Sequence, residues 1–145
     1  MASRLTIRPG VGAIIRDDGG AFLLHRRRVG GGWAPVSGGM EPGEDVLTAL
    51  HREIVEETGL VVDVRRFLAV HSDPATQVVA YPDGRRVHFV TCVFECRRKG
   101  GDFRGSSEGL EWRWFAPEAL PHDLTPYAVV WLRDALADGP QVPVR

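Results

Sequence analysis

The chain has 145 residues, 43% of them hydrophobic, and a formal net charge of −1. That describes one globular domain over residues 1–145, large enough to bury a core without disulfides or a structural metal. It argues against a protein built chiefly to grip a nucleic-acid polymer, where a strongly basic face is expected.

Residues 11–16 read as a strand, Asp17-Asp18-Gly19-Gly20 as a turn and residues 21–26 as a second strand, together a hairpin. Arg26, Arg27 and Arg28 then lead into Val29-Gly30-Gly31-Gly32, a basic, flexible loop. Residues 33–37 form a short extended piece. Glu41, Glu44 and Asp45 gather acids where a helix begins, which suits the partial positive charge there. The helix is expected over residues 45–58, with Leu47, Leu50 and Ile54 as its apolar stripe and Gly59 as its stop. Residues 61–70 read as a strand broken by Ser72-Asp73-Pro74. Residues 78–80 and 87–96 give two more strands around a turn at Tyr81-Pro82-Asp83-Gly84. Cys92 and Cys96 are the two cysteines; four apart, they make a poor zinc site and read as reduced thiols at buried or half-buried positions. Residues 97–109 are a polar, Gly-rich loop, and residues 110–115 alternate with period 2 as a strand. A short helical turn at 117–120 and a helix over 127–137 close the chain. Strands on both sides of a central helix, with a second helix at the end, fit an α/β domain whose mixed β-sheet is covered on both faces. No apolar run approaches the roughly 18 residues of a spanning helix. The opening MASRLTIRPG lacks the apolar core of a signal peptide. No membrane contact is expected, and the expected compartment is the cytoplasm.

The chemistry concentrates in residues 38–60, GGMEPGEDVLTALHREIVEETGL. At helical spacing Glu53, Glu56 and Glu57 share one side. Ionised carboxylates at this spacing repel, by roughly 0.2–0.5 kcal/mol per pair. A fold that keeps them beside a Gly-rich loop has a use for them in holding hard cations, which prefer oxygen ligands.

Gly38, Glu44, Arg52-Glu53, Ile54, Glu56-Glu57, Gly59 and Leu60 fill every fixed position of G-x5-E-x7-R-E-U-x-E-E-x-G-U, with U aliphatic. The segment resembles the Nudix box. The resemblance implies a Nudix fold, an α/β/α sandwich with a mixed sheet. It also implies a hydrolase that uses Mg²⁺ or Mn²⁺ to cleave a phosphoanhydride bond. The substrate would be a nucleoside triphosphate, or a nucleoside diphosphate linked to another group. Glu56 and Glu57 would be the main metal ligands, Glu53 a ligand or the base, and the Gly38 carbonyl a further ligand. Arg52 would hold a box carboxylate in place, and Glu44 would support the site. Family members often carry an arginine after the second strand, which gives Arg27, and less directly Arg26, a phosphate contact. Many bring an acid from the loop before the late strand, for which Glu108 is the candidate base or ligand and Glu111 its rival. Many also pair as homodimers, which leaves that state open here. Trp33 reads as core or rim before base-stacking platform. Pro74 resembles a weak hallmark of ADP-ribose hydrolases and equally a strand terminator. Ser37 stands where the family commonly has Gly, a departure that touches the loop and not the acids. The alternative is a non-catalytic module of the same fold that binds a nucleotide or a protein. An isopentenyl-diphosphate isomerase-like enzyme fits less well, because that family does not keep the full box.

Overall fold

The computed structural model describes residues 5–106, 109–139 and 142–145. The strands are β1 (Leu5–Arg16), β2 (Phe22–Arg27), β3 (Trp33–Ala34), β4 (Val36–Gly39), β5 (Leu60–His71), β6 (Val78–Ala80), β7 (Arg86–Gly101) and β8 (Gly109–Phe115). The helices are α1 (Val46–Thr58), α2 (Pro74–Gln77) and α3 (Pro126–Leu136), with a 3-10 turn at Pro117–Ala119.

All eight strands join one sheet along the order β3-β2-β1-β7-β5, with β4 on β1, β6 on β7 and β8 on β2. β1 and β7 run parallel from Leu5↔Arg86 to Arg16↔Arg97, and the other pairs are antiparallel. The sheet is therefore mixed, as expected. β1 lies inside it, and its residues alternate between two cores. Val11, Ala13 and Ile15 pack with Leu50 and Ile54 beneath α1. Ile14 packs with Phe22, Leu24, Trp131 and Leu132 beneath α3. A strand buried on both faces reads as a continuous apolar run, and Ala13-Ile14-Ile15 is one. Gly12 faces Trp131 so closely that a Cβ there would lie 2.5 Å from the indole ring.

Three expectations need correction. β7 continues to Gly101, through part of the expected polar loop, because Gly100 and Gly101 pair with Val61 and Leu60. Leu47 is 48% exposed. The inward arc of α1 runs through Ala49, Leu50, Ile54 and Glu57, so Val46 packs on the core and Leu47 falls at its margin. Pro74 does not simply end a strand; it opens α2, where the Asp73 side chain accepts from the Ala75 amide at 2.9 Å. Among the described residues no helix is long and apolar enough to cross a membrane.

Candidate active site

Local signals fix α1 at both ends. Asp45 Oδ1 accepts the Thr48 amide at 2.8 Å. Glu44 Oε1 accepts the Glu41 amide at 2.7 Å. Gly59 stops the helix at φ 74°, a left-handed conformation that glycine adopts without strain, and its amide reaches the Val55 carbonyl. These contacts set the rotation of the helix, and with it the direction of each acid.

Arg52 ties the box together. It donates from Nε and Nη2 to Glu44 at 2.6 and 2.8 Å, from Nη1 to Glu53 at 2.9 Å and Glu56 at 3.2 Å, and from Nη2 to the Gly39 carbonyl at 3.1 Å. The fork on Glu44 is bidentate and charge-assisted. That guanidinium, with help from the Glu41 amide, holds the Glu44 carboxyl down at about 2. Glu44 in turn raises the pKa of Arg52, against the opposing effect of partial burial. Arg52 is therefore part of a built network and not a solvated surface charge.

Gly38 lies against Glu53: a Cβ there would fall 2.1 Å from the Glu53 carboxyl carbon. Only a glycine lets β4 and the acid approach this closely. Glu57 is withdrawn to 3% exposure. Glu53 and Glu57 both line a cleft of about 550 Å³, together with Gly38, Arg27 and Arg28. Glu56 lies outside that lining, its side chain 59% exposed and held by Arg52.

Arg26 also lies outside the cleft, in contrast to Arg27. Successive strand residues point to opposite faces. His25 and Arg27 therefore look into the cleft, while exposed Arg26 pairs across to Trp33 and Glu111. A bulge between Arg26 and Arg27 lets the chain turn there, and Arg28 also reaches the cleft. Glu111 forms an ion pair with Arg113. Glu108 lies outside the described residues. Trp33 is core, 7% exposed and edge-on to Phe115.

The sequence reading missed Arg8, His25, Gln77, Thr91 and Tyr127, which also line the cleft. The two-residue spacing from Arg27 could have found His25. Arg8 lay ahead of the expected first strand; its guanidinium covers Gly39 and donates to the Met40 carbonyl at 3.2 Å.

Among the described residues no three His, Cys, Asp or Glu side chains converge as a ready cage for a metal. The donor set still suits a hard divalent ion. Mg²⁺ commonly takes one or two carboxylates and completes its shell with water and phosphate oxygens. Glu53 and Glu57 on one cleft wall meet that demand.

A family model described as the NUDIX domain matches residues 6–136. A MutT-like protein from Streptomyces ambofaciens is 32% identical over 132 residues, covering 90% of this chain and 78% of its own length. The nucleoside triphosphatase NudI of Escherichia coli O81 (strain ED1a) is 32% identical over 116 residues, covering 75% of this chain and 82% of its own. The crystal structure of a MutT NUDIX hydrolase from Burkholderia pseudomallei superposes with a TM-score of 0.67 at 28% identity, covering 89% of this chain and 98% of that one.

Proposed function

The chain belongs to the Nudix family of hydrolases, and from that premise we propose that it hydrolyses a phosphoanhydride bond in a reaction dependent on Mg²⁺ or Mn²⁺. The substrate class is a nucleoside triphosphate, or a nucleoside diphosphate joined to another group. One observation carries this reading: Glu53 and Glu57 share one cleft with Arg27 and Arg28. A polyphosphate needs both, cationic side chains for its own charge and hard oxygen ligands for its counter-ion. The relative named as a nucleoside triphosphatase favours the triphosphate among these substrates.

Glu57 and Glu53 would hold the ion from the cleft wall, with Glu56 and the Gly38 carbonyl as the remaining candidate ligands. The bound ion would supply charge neutralisation and a more acidic water. Arg27 and Arg28 bind phosphate oxygens and orient the phosphorus towards the acids. Glu53 or Glu108 takes the proton from the attacking water. Arg52 acts through Glu53 and is a positioning residue.

The test is a panel of nucleoside triphosphates, ADP-ribose, a sugar nucleotide and a dinucleoside polyphosphate, assayed with Mg²⁺, with Mn²⁺ and with EDTA. Turnover in metal that EDTA abolishes is expected. In water labelled with heavy oxygen, the label should enter a phosphate product and not a sugar hydroxyl. Absence of turnover with every substrate in either metal would favour the non-catalytic binding module. Replacing Glu108 and Glu53 one at a time by Gln separates base from ligand: loss of the base costs about 10²–10⁴-fold in kcat, whereas loss of a ligand is partly rescued by extra metal.

A further inference from the structure

Arg8 and Gly10 share one face of β1, because alternate strand residues point the same way. Gly10 lies beside the Gly38 carbonyl: a Cβ there would fall 3.3 Å from that oxygen. Arg8 stands two residues away, roughly 7 Å along the strand. Arg8 and Glu41 both line the cleft, together with Glu53 and Glu57. The Arg8 guanidinium covers Gly39, where a Cβ would collide with it.

The two arginines that meet the box loop are held very differently. Arg52 uses Nε, Nη1 and Nη2 on Glu44, Glu53, Glu56 and the Gly39 carbonyl. Arg8 uses Nη2 alone, donating to the Met40 carbonyl at 3.2 Å and to Glu41 Oε1 at 3.1 Å. A guanidinium has five N–H groups, so Nε and Nη1 of Arg8 keep three. The Arg8 side chain is 42% exposed and that of Glu41 57%. An ion pair so open to water is weak. A phosphate group carries more charge than a carboxylate and offers three acceptor oxygens. A guanidinium fork binds it in a bidentate way.

We propose that Arg8 is a third phosphate-binding residue of the cleft, beside Arg27 and Arg28. Glu41 is the counter-ion that Arg8 exchanges for a phosphate when a nucleotide binds. The bond to the Met40 carbonyl stays, since it needs one Nη2 hydrogen; only the bond to Glu41 is given up. Arg27 ends β2 and Arg28 follows it, whereas Arg8 belongs to β1, so the phosphate chain is gripped from two strands. The proposal rests on the reading of the cleft as a nucleotide site. It adds a contact that neither β2 nor the box supplies.

A double-mutant cycle read by calorimetry tests it without turnover. The probes are ATP and GTP analogues with methylene groups in place of the bridging oxygens, titrated in Mg²⁺. Arg8→Ala should weaken binding about 10-fold, the loss of one charge-assisted contact. Glu41→Gln should tighten it about 3-fold, because Arg8 is released from an exposed pair. In the Arg8→Ala background Glu41→Gln should change nothing. Equal tightening with and without Arg8 would mean that Glu41 acts through its charge alone, and the exchange would be overturned. So would wild-type affinity in either single variant, or a wild-type protein that binds neither analogue. Mn²⁺ binding without nucleotide, read by electron paramagnetic resonance, should be unchanged in Arg8→Ala, since Arg8 bonds to none of Glu53, Glu56 and Glu57. A matching loss of Mn²⁺ affinity would show Arg8 to be only a clamp on the loop that carries Gly38, and would also sink the proposal. Should Arg8→Ala fail to fold, Arg8→Gln takes its place in the cycle, keeping a donor for Met40 and dropping the charge. If the cycle behaves as expected and no substrate is hydrolysed, the catalytic reading fails and this one stands.

Discussion

Arg52 and Arg145 each bind a carboxylate on a helix, yet the two clusters behave as different kinds of structure. Arg52 links Glu44, Glu53 and Glu56 at the edge of the cleft, where one side stays open. Arg145 donates to Asp134 Oδ1 at 3.0 Å, while His71 Nε2 lies 2.8 Å from Asp134 Oδ2. In that second cluster His71 and Asp134 are closed off, with the half-exposed Arg145 side chain lying over them. His71 is 1% exposed, and Val70 exchanges backbone bonds with Pro143 and Arg145 across it. Both clusters satisfy their charges. Only the first leaves acids facing a space that a substrate can enter. A carboxylate held by an arginine therefore marks no active site by itself; access separates chemistry from architecture.

The largest effect that separates the two belongs to the second cluster. Asp134→Ala leaves the buried His71 without its acceptor and frees the half-exposed Arg145, and losing hydrogen bonds to a buried carboxylate costs about 3 kcal/mol. Urea unfolding should show that loss, with kcat near wild type at a temperature where the variant is folded. A variant of unchanged stability would mean that the cluster contributes little to the fold.

The acids that face the cleft should respond in the opposite way. Glu57→Gln keeps the shape and removes one charge from a crowded acidic wall. We expect kcat to fall ~100-fold or more, with stability unchanged or slightly higher. Wild-type turnover in this variant would remove Glu57 from catalysis.

What could be read in advance follows the same division. The box helix, its caps and the first hairpin follow from signals a few residues long: Asp45 before the helix, Gly59 after it, Asp17 to Gly20 at the turn. The acids were legible because they sit at helical spacing on one element. The pairing of His71 with Asp134 spans 63 residues, and no local pattern contains it. The continuation of β7 depended on Leu60 and Val61 as partners, which glycines and basic residues do not announce. Arg26 and Arg27 look alike in sequence, and strand alternation with a bulge decides between them. The hydrogen-bonded trio of Gln77, Thr91 and Trp131 comes from three separate elements.

A smaller effect sharpens the role of Arg52. Arg52→Lys keeps the charge but cannot reproduce the two-pronged hold on Glu44 while also reaching Glu53. Supporting contacts of this kind typically carry 10–100-fold in activity. We expect kcat about 10-fold lower with KM little changed, because Arg52 bonds Glu53 and lies outside the lining of the cleft. A rise in KM at constant kcat would instead place Arg52 in direct contact with the phosphates.

The smallest effect concerns pH, and it distinguishes the clusters without altering the site. Burial lowers the pKa of His71 below its ordinary value of 6.5; the bond to Asp134 opposes the shift, and Arg145 adds to it. The unfolded chain therefore takes up a proton at a higher pH than the folded one. Stability from this group is fully present above about pH 6.5 and is lost as pH falls towards the lower folded value. Around the imidazole, Asp134 and Arg145 are the charged groups in contact, and Trp131 lies with its ring centre 6.2 Å away. Melting temperature should decline as pH is lowered through the mildly acidic range. His71→Gln should flatten that part of the profile, since it keeps a donor for Asp134 and removes the titration. If the wild-type and variant melting curves ran parallel from neutral pH downward, another group would carry the acid sensitivity, and His71 would be a neutral hydrogen-bond donor whose protonation the fold does not resist.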